Sequence, residues 1–438
     1  MEEKQPGVVA RWLVKSEKLF RTDMVYVFRS SFWMGISQAV ASASTFLLAI
    51  ALTFVLPIES YGSYKMIFTV MGVLQAFSLT QISVAVTRAA ARGEDRALLT
   101  GFRSNLIWGL PKLILAAPVC AWCTTHGHRD IAWGIAFAVP GALLVQGIEL
   151  YGPFLVGKKE FKLGSRLAVI QTLVASALIA ASLFFTRNVV VIVAVYFGAN
   201  VLTHIPIYAW VVRAFRVRES TSDGAAAVNY GWHLSLMRVL GTITFQLDNF
   251  LVGTLLGNSS LAVYSVAKAP PQQLRILGKN LSAISLPKLA ERTPEDLKRL
   301  VPRKALVVLV FSIGLIAAYV LGAPYLYKWF FPKYLDSVTY SRWYSLLILS
   351  FPLVLFQNSL IAHRETRAQY VIETAIPIFK TILYIFLIPR FRLAGVVGCL
   401  LVTEVLHIVL VLIFFARMKP SPKPEVLPEV LPATESSL

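Results

Sequence analysis

Cationic and polar side chains recur along one helical face of residues 262–286, an otherwise apolar segment. At about 100° per residue they fall within a sector of roughly 80°, and they are Lys268, Gln272, Arg275, Lys279 and Ser282. A cation at the bilayer centre costs about 2.5–3.5 kcal/mol, so three facing lipid would cost on the order of 8–10 kcal/mol. We therefore expect this row to face a water-filled cavity that holds a negatively charged ligand.

Two alternatives remain open for the same segment. Its cations could be held in internal salt bridges, with Asp248 pairing with Arg238 or with a cation of residues 262–286. The segment could instead be an amphipathic helix lying on the membrane, with its basic face against anionic headgroups.

Further polar residues lie in the predicted spans of the second half of the chain. We assign Arg238, Asp248, Asn249 and Lys380 to substrate binding, together with Lys268, Gln272, Arg275 and Lys279. Glu404 and His407, one helical turn apart, could form a proton relay or an ordinary hydrogen bond between helices. Glu149 could bind a coupling ion or lie in water at the cytoplasmic boundary.

The composition excludes a soluble globular protein. Of the 438 residues 56% are apolar, the mean hydropathy is +0.66, and apolar runs of about 20 residues recur from end to end. The formal charge of +19 would suggest a nucleic-acid partner in a soluble chain. Here the cations mostly separate apolar runs, so we expect membrane lipids and no nucleic acid as partners.

We predict an all-α polytopic membrane protein with about twelve transmembrane helices. The predicted spans are 32–56, 65–87, 105–123, 131–156, 167–185, 189–212, 234–256, 262–286, 305–327, 344–362, 371–388 and 393–416. Lys and Arg concentrate in alternate connections, which favours cytoplasmic positions for both termini. The polar N-terminus continues to Arg29, so we expect no cleavable signal peptide.

A weak internal repeat divides the chain near its middle, since residues 56–64 align with 256–264. The offset covers six spans, which predicts two parallel six-helix lobes around a central cavity. The predicted organisation is a cytoplasmic lead-in (1–30), a first lobe (31–212), a cytoplasmic linker (213–230), a second lobe (231–416) and a disordered cytoplasmic tail (417–438).

Two short motifs resemble a known family. The sequence Glu59-Ser60-Tyr61-Gly62-Ser63-Tyr64 is similar to the E-x-[FY]-G-x-Y signature of polysaccharide-repeat (O-antigen type) flippases. So is Asp248-x-x-x-Val252-Gly253-x-x-Leu256-Gly257, continuing into residues 262–267. These proteins belong to the multidrug/oligosaccharidyl-lipid/polysaccharide exporter superfamily. Pro270-Pro271 depart from the smooth helix that we would expect there.

The resemblance implies a V-shaped pair of lobes in the bacterial inner membrane. Family members move a polyprenyl-diphosphate-linked oligosaccharide from the cytoplasmic to the outer leaflet, which implies polysaccharide polymerases and glycosyltransferases as partners. A diphosphate is an anion, which agrees with cations in a water-filled cleft.

Three other functions compete with a flippase. A membrane glycosyltransferase would be expected to show acidic residues in a large outer loop, whereas the longest predicted outer segment, 328–342, holds only Asp336. An exporter of anionic metabolites or drugs and a scaffold for glycan assembly remain open. We expect no enzymatic activity and no cofactor. Cys120 and Cys123 with His126 and His128 have metal-ligand spacing, but at the end of a span we expect no metal site.

Overall fold

The structure, a computed structural model, describes residues 24–220, 225–275, 278, 281–282, 285–286, 289, 292–363 and 365–418. In the first half of the chain the described α-helices are α1 Met24–Val55, α2 Ile58–Leu74, α3 Ile82–Ala91, α4 Ala97–Gly109, α5 Pro111–Thr125, α6 Arg129–Ile148, α7 Tyr151–Gly157, α8 Phe161–Phe185 and α9 Val189–Ala214. Those of the second half are α10 Ala225–Leu256, α11 Asn258–Leu274, α12 Pro294–Phe330, α13 Ser337–Ser345, α14 Leu353–Ala362 and α15 Thr366–Arg417. The described residues contain no β-strand.

The predicted fold class is confirmed, because the protein is an all-α polytopic membrane protein. Seven described helices are long and apolar enough to cross a membrane, or nine when each of two bent helix pairs counts as one span. The 52-residue helix α15 covers the last two predicted spans, which meet at Arg392, where φ is 51° and the helix kinks. The apolar runs therefore located the last two spans correctly.

The second predicted span is not one continuous helix, and in this respect the prediction is wrong. Helix α2 and the short 3₁₀ turn Gln75–Phe77 are followed by a break at residues 78–81, and α3 continues at an angle of 58°. The first backbone N–H groups of a helix have no partner within it. The N–H of Gln81, at the start of α3, donates to the Ser235 hydroxyl of α10 at 3.0 Å.

Two compact units are formed by the chain. The first comprises Met1–Ala269, Pro324–Tyr340 and Tyr384–Val396, and the second comprises Pro270–Ala323, Ser341–Leu383 and Val397–Leu438. Neither unit ends at the predicted linker 213–230, so the division into two six-helix lobes stays a prediction. Residues 1–23 and 419–438, which include most of the predicted lead-in and tail, lie outside the described residues.

Each unit has its own apolar core. In the first unit, Ile82, Leu98, Phe154 and Val211 pack together from four different helices and are almost fully buried. In the second unit the corresponding cluster includes Leu297, Val301, Leu360 and Val411. Since the lipid-facing side chains are also apolar, these clusters are held by close packing rather than by a contrast with water.

Helix α2 approaches α10 and α11 very closely within the first unit. A Cβ on Gly62 would lie 1.9 Å from the carbonyl oxygen of Asn258, and a Cβ on Gly253 would lie 2.7 Å from the Met66 sulfur. The Asn258 amide also donates to the Ser63 hydroxyl at 3.0 Å. The glycine of the Glu59–Tyr64 motif therefore has a physical reason, because only glycine lets the two backbones meet.

Replacing Gly62 by alanine tests this contact. The new methyl group would overlap a backbone oxygen that cannot rotate away, so we expect Gly62→Ala to cost about 1–3 kcal/mol of stability. The thermal unfolding midpoint of the purified protein in detergent should fall. The matched control is Gly241→Ala in α10, where no atom lies within 4 Å of the new Cβ and no loss is expected. Equal midpoints for both variants would contradict the close approach.

Candidate functional site

Lys268 lies at the centre of a polar cluster in the first unit. Its Nζ donates to Asp248 Oδ2 and to Asn249 Oδ1, each at 2.9 Å. Asp248 and Asn249 lie in helix α10 and Lys268 lies in α11, so the contacts join two neighbouring helices. The side chains of Lys268 and Asp248 are 14% and 7% exposed, which makes this a largely buried ion pair.

Two further residues complete this group, which we call the Lys268 cluster. The Tyr264 hydroxyl donates to Asp248 Oδ2 at 2.7 Å, and the Lys268 ammonium lies 4.9 Å from the centroid of the Tyr264 ring. Lys65 of α2 lies in the same region of the first unit, because α2 packs closely against α11 at Gly62 and Asn258. Its own ammonium lies 5.3 Å from the centroid of the Tyr61 ring. The Lys268 cluster thus contains two lysines and one carboxylate.

The expected row of unpaired cations is not what the structure shows at Lys268. This side chain is paired with Asp248, so the salt bridge that the sequence left open as an alternative is the arrangement found. The reason is physical: an ammonium and a carboxylate removed from water stabilise each other when they are close and hydrogen-bonded. Any anion that reaches Lys268 must therefore compete with Asp248.

Arg275 and Glu404 both lie in the second unit, where Glu404 belongs to a small polar group. The Ser350 hydroxyl donates to the Leu347 carbonyl at 2.7 Å. His407 Nδ1 lies 3.4 Å from Glu404 Oε1, and its Nε2 lies 2.5 Å from the Gln357 amide nitrogen. Since that amide nitrogen is a donor, His407 Nε2 accepts and the proton sits on Nδ1, facing Glu404.

The remaining predicted binding residues are not brought into one group. Gln272 is exposed, and Lys380 is partly exposed, with the Cys399 thiol donating to its backbone carbonyl at 3.5 Å. Lys279 and the side chain of Arg238 lie outside the described residues. The assignment of all of these to substrate binding stays a prediction.

Glu149 lies at the end of helix α6, in the first unit, and faces His204 of α9. The carboxylate oxygen is 3.5 Å from His204 Nε2, while His204 Nδ1 lies 2.8 Å from the Asn200 carbonyl and donates to it. His204 Nε2 then carries a lone pair that is directed at the Glu149 carboxylate. The imidazole and the carboxylate attract each other only when one of them holds a proton. The Glu149 side chain is 57% exposed, so water reaches this pair.

The cysteine and histidine pattern near residue 123 is not a cluster of ligands. The Cys120 thiol donates to the Ala132 carbonyl at 3.4 Å, and His126 stacks on the Trp122 ring with centroids 4.4 Å apart. In the part of the chain that the structure describes, no three His, Cys, Asp or Glu side chains are grouped closely enough to hold a metal ion.

Sequence reasoning missed Lys65. Lys65 is the first residue of the predicted span 65–87, directly after the Glu59–Tyr64 motif. At the end of a span a lysine can reach water by extending its side chain, so the sequence gives no reason to assign it to a site. The internal repeat contained a usable signal, since the alignment that places residue 64 over 264 also places Lys65 over Ser265, three residues before Lys268. The close packing of α2 on α11 brings the two lysines together.

Comparison with known proteins gives a family and a fold. The profile of a family described as polysaccharide biosynthesis protein matches residues 27–277, more than half of the chain. No curated protein sequence matches significantly.

Several solved structures have the same fold. One is an inward-facing multidrug resistance MATE family transporter of the MOP superfamily, with 14% identity, a TM-score of 0.64 and coverage of 85% of this chain and 93% of that one. Another is MATE in complex with MaD3S, with 15% identity, a TM-score of 0.59 and coverage of 90% and 95%. A third, with 14% identity, a TM-score of 0.58 and coverage of 90% and 96%, is a MOP superfamily transporter from Pyrococcus furiosus, described as having a binding pocket of reverse polarity.

Charge removal tests the buried pair of the Lys268 cluster. Lys268→Met leaves the Asp248 carboxylate buried without its cation, and Asp248→Asn leaves the Lys268 ammonium buried without its carboxylate. Each substitution should therefore lower the free energy of unfolding by about 3–5 kcal/mol. The double variant removes both charges and should recover most of the thermal stability, as measured in a double-mutant cycle in detergent. Strictly additive losses would show that the two side chains do not interact.

Proposed function

The chain belongs to the polysaccharide biosynthesis protein family, and we propose that it is a transporter of a polyprenyl-diphosphate-linked oligosaccharide. The glycan lipid would move from the cytoplasmic to the outer leaflet of a bacterial inner membrane. Family membership, the multi-pass helical architecture and the fold of MOP-superfamily transporters support a transporter. The finer statement about the substrate rests on the Lys268 cluster.

The single observation that supports an anionic substrate is the pair of lysines in the Lys268 cluster. Lys268 is held by one carboxylate, and Lys65 of the neighbouring helix α2 contributes a second cationic side chain, whose ammonium lies 5.3 Å from the centroid of the Tyr61 ring. A diphosphate carries several strong acceptor oxygens, and charge-assisted hydrogen bonds from ammonium groups are about twice as strong as neutral ones. A carboxylate has only two oxygens, so a diphosphate can engage both lysines where Asp248 engages Lys268.

Asp248 then acts as a stand-in for the headgroup. In the absence of substrate it keeps Lys268 ionised and oriented, together with the Asn249 amide and the Tyr264 hydroxyl. When a diphosphate binds, one anionic partner of Lys268 replaces another, so the transporter does not have to bury a new uncompensated charge. Such an exchange makes binding reversible, which a carrier requires in order to release its substrate in the other leaflet.

The Glu404 pair offers a route for coupling this cycle to protons. His407 faces Glu404, with Nδ1 at 3.4 Å from Oε1, and Arg275 is a cation of the same unit. Protonation of Glu404 would remove the negative charge that attracts Arg275 and would leave this guanidinium for an anion. Glu149 and His204 of the first unit attract each other only when one of them holds a proton, so both pairs are proposed as ion- or proton-coupling groups.

The location and partners follow from the same proposal. Lys and Arg concentrate in alternate connections, which supports cytoplasmic positions for both termini. Polysaccharide polymerases and glycosyltransferases that make or use the lipid-linked glycan would act beside the transporter.

Export of anionic metabolites or drugs is the alternative that the Lys268 cluster also fits, because free anions would meet the same two lysines. A catalytic or scaffolding role in the same pathway has less support, since the Lys268 cluster is built from helices α2, α10 and α11 rather than from a large loop.

Transport by the reconstituted protein tests the anion site. We expect Lys268→Met and Arg275→Met to reduce transfer of a lipid-linked oligosaccharide across proteoliposomes by about tenfold or more, because a lost charge-assisted contact is worth about 1.5–3 kcal/mol. The assay measures glycan that becomes accessible to an impermeant reagent on the far leaflet. Lys304→Met, at an exposed position of α12, is the matched control and should transport normally.

Two results would contradict this reading. Normal transport by both Lys268→Met and Arg275→Met would show that these residues do not bind an anionic substrate. Transport of small organic anions by the wild-type protein, without transport of the lipid-linked glycan, would favour the alternative.

Direct binding of inorganic diphosphate tests the exchange at Asp248. Asp248→Asn keeps an acceptor for Lys268 but removes the competing charge, so the variant should bind diphosphate several-fold more tightly than the wild type. Isothermal titration of the protein in detergent measures this difference, with Lys268→Met as the variant in which binding should weaken. Weaker binding by Asp248→Asn would show that Asp248 supports the anion rather than competing with it.

A further inference from the structure

A second polar site lies in the first unit, at the break between α2 and α3. A cavity of about 450 Å³ opens there, and the residues that line it include Gln75, Thr80 and Ser83 from the break and its flanks. Its other walls come from α4, α6, α7, α8 and α9. Non-helical backbone at membrane depth is tolerated where it lines a water-filled cavity, so the break and the cavity explain each other.

The buried Lys112 fixes the orientation of one amide in the wall. Its side chain is only 1% exposed, and its ammonium donates to Gln146 Oε1 at 2.5 Å. A lysine has donors and no acceptor, so it must face the oxygen of the amide. The NH₂ group of Gln146 is therefore turned away from Lys112, and Gln146 presents a donor to the cavity.

The amide of Gln171, also in the wall, is fixed in the opposite orientation to that of Gln146. The Asn200 amide donates to the Tyr196 carbonyl at 2.8 Å, so Asn200 Oδ1 is an acceptor and receives the Gln171 amide at 3.1 Å. Gln171 then turns its carbonyl oxygen toward Thr172, whose hydroxyl makes a long contact of 3.4 Å with it. Gln171 therefore presents an acceptor, where Gln146 presents a donor.

Asn105 adds an acceptor without a partner. Its side chain lines the cavity and is 3% exposed, yet Oδ1 makes no hydrogen bond within the described residues. A buried carbonyl oxygen without a hydrogen bond is costly, because it has lost its contact with water and gained no donor in exchange. Such a group is explained when a ligand or water supplies the missing donor.

The chemistry of the wall differs from that of the Lys268 cluster. The lining residues include amides, hydroxyls, the Tyr151 ring, His204 and Glu149, but no lysine or arginine among those described. With a carboxylate and no cation, the wall suits a diphosphate poorly. Fixed donors beside fixed acceptors suit neighbouring hydroxyl groups, each of which both donates and accepts.

From this wall we infer that the cavity binds a neutral sugar of the transported glycan. The inference deepens the proposed function and rests on it. A volume of about 450 Å³ falls within the range of about 300–1,000 Å³ that is typical of small-molecule sites. Gln146 donates to a sugar oxygen, while Asn105 and Gln171 accept from sugar hydroxyls. Lys112 and Asn200 are positioning residues, since they act through the two glutamines.

Saturation-transfer NMR on the full-length protein in nanodiscs tests the site. The probes are glucose, galactose, mannose, N-acetylglucosamine and N-acetylgalactosamine, each as the free sugar. We expect at least one to receive saturation from the wild-type protein, and Asn105→Leu to weaken its binding by about fivefold, since one hydrogen bond contributes about 1 kcal/mol. Leucine has the same number and branching of side-chain heavy atoms as asparagine and leaves no buried acceptor unpaired, so this variant should fold.

Matched variants separate a positioning role from a structural one. Gln369→Leu, which does not line the cavity, should bind the sugar as the wild type does. Lys112→Met removes the hydrogen bond that orients the Gln146 amide, so it should weaken sugar binding. The binding is measured at a temperature at which thermal unfolding shows that the variant is folded. If Asn105→Leu fails to fold, Gln75→Leu takes its place.

The outcomes distinguish this inference from the proposed function. The inference is overturned if no sugar of the set receives saturation, or if Asn105→Leu and Gln369→Leu bind equally well. In either case transport that still depends on Lys268 would leave the proposed function standing. Sugar binding that depends on Asn105, without transport of a lipid-linked glycan, would retain the site and reject the flippase.

Discussion

A charge inside a membrane-spanning helix has to be stabilised by the protein, because the hydrocarbon around it offers no hydrogen bonds. Lys268 meets this requirement through Asp248, Asn249 and the Tyr264 ring, all within two adjacent helices. The same requirement constrains how α10 and α11 are rotated about their axes, because Lys268 and Asp248 must face each other for the ammonium and the carboxylate to lie 2.9 Å apart. The arrangement of the Lys268 cluster thus follows from the cost of an isolated charge.

Close backbone packing supplies the other half of that geometry. Helix α2 meets α11 at Gly62 and Asn258, which leaves no room for a side chain and brings the next turn of α2, with Lys65, toward Lys268. Small residues at such a contact allow the van der Waals packing on which helix association in a membrane depends. The glycine of the Glu59–Tyr64 motif therefore has a structural role, because it allows the close contact between the helices. The residue that follows the motif is Lys65, the second cation of the Lys268 cluster.

Most spans could be predicted from the sequence because bilayer thickness sets the length of an apolar run. Seven described helices are long and apolar enough to cross a membrane, or nine when each of two bent helix pairs counts as one span. The break at residues 78–81 could not be predicted, since no proline or glycine occurs there. Its stability comes from partners distant in sequence, such as Ser235 for the Gln81 N–H. The pairing of Lys268 with Asp248 was one of several possibilities for the same reason: periodicity places a residue on a face but does not say what that face meets.

The first unit thus contains two polar centres of opposite character, which argues for a substrate with two chemically different parts. Around Lys268 the polar groups are charged and exchangeable, so they suit an anion that must bind and leave. In the cavity beside α3 the groups are mostly neutral, and Lys112 and Asn200 fix their donors and acceptors. A simple inorganic anion would use the first centre alone, and a neutral solute would use the second alone. A glycan joined to a lipid through a diphosphate is a substrate that gives both centres a role.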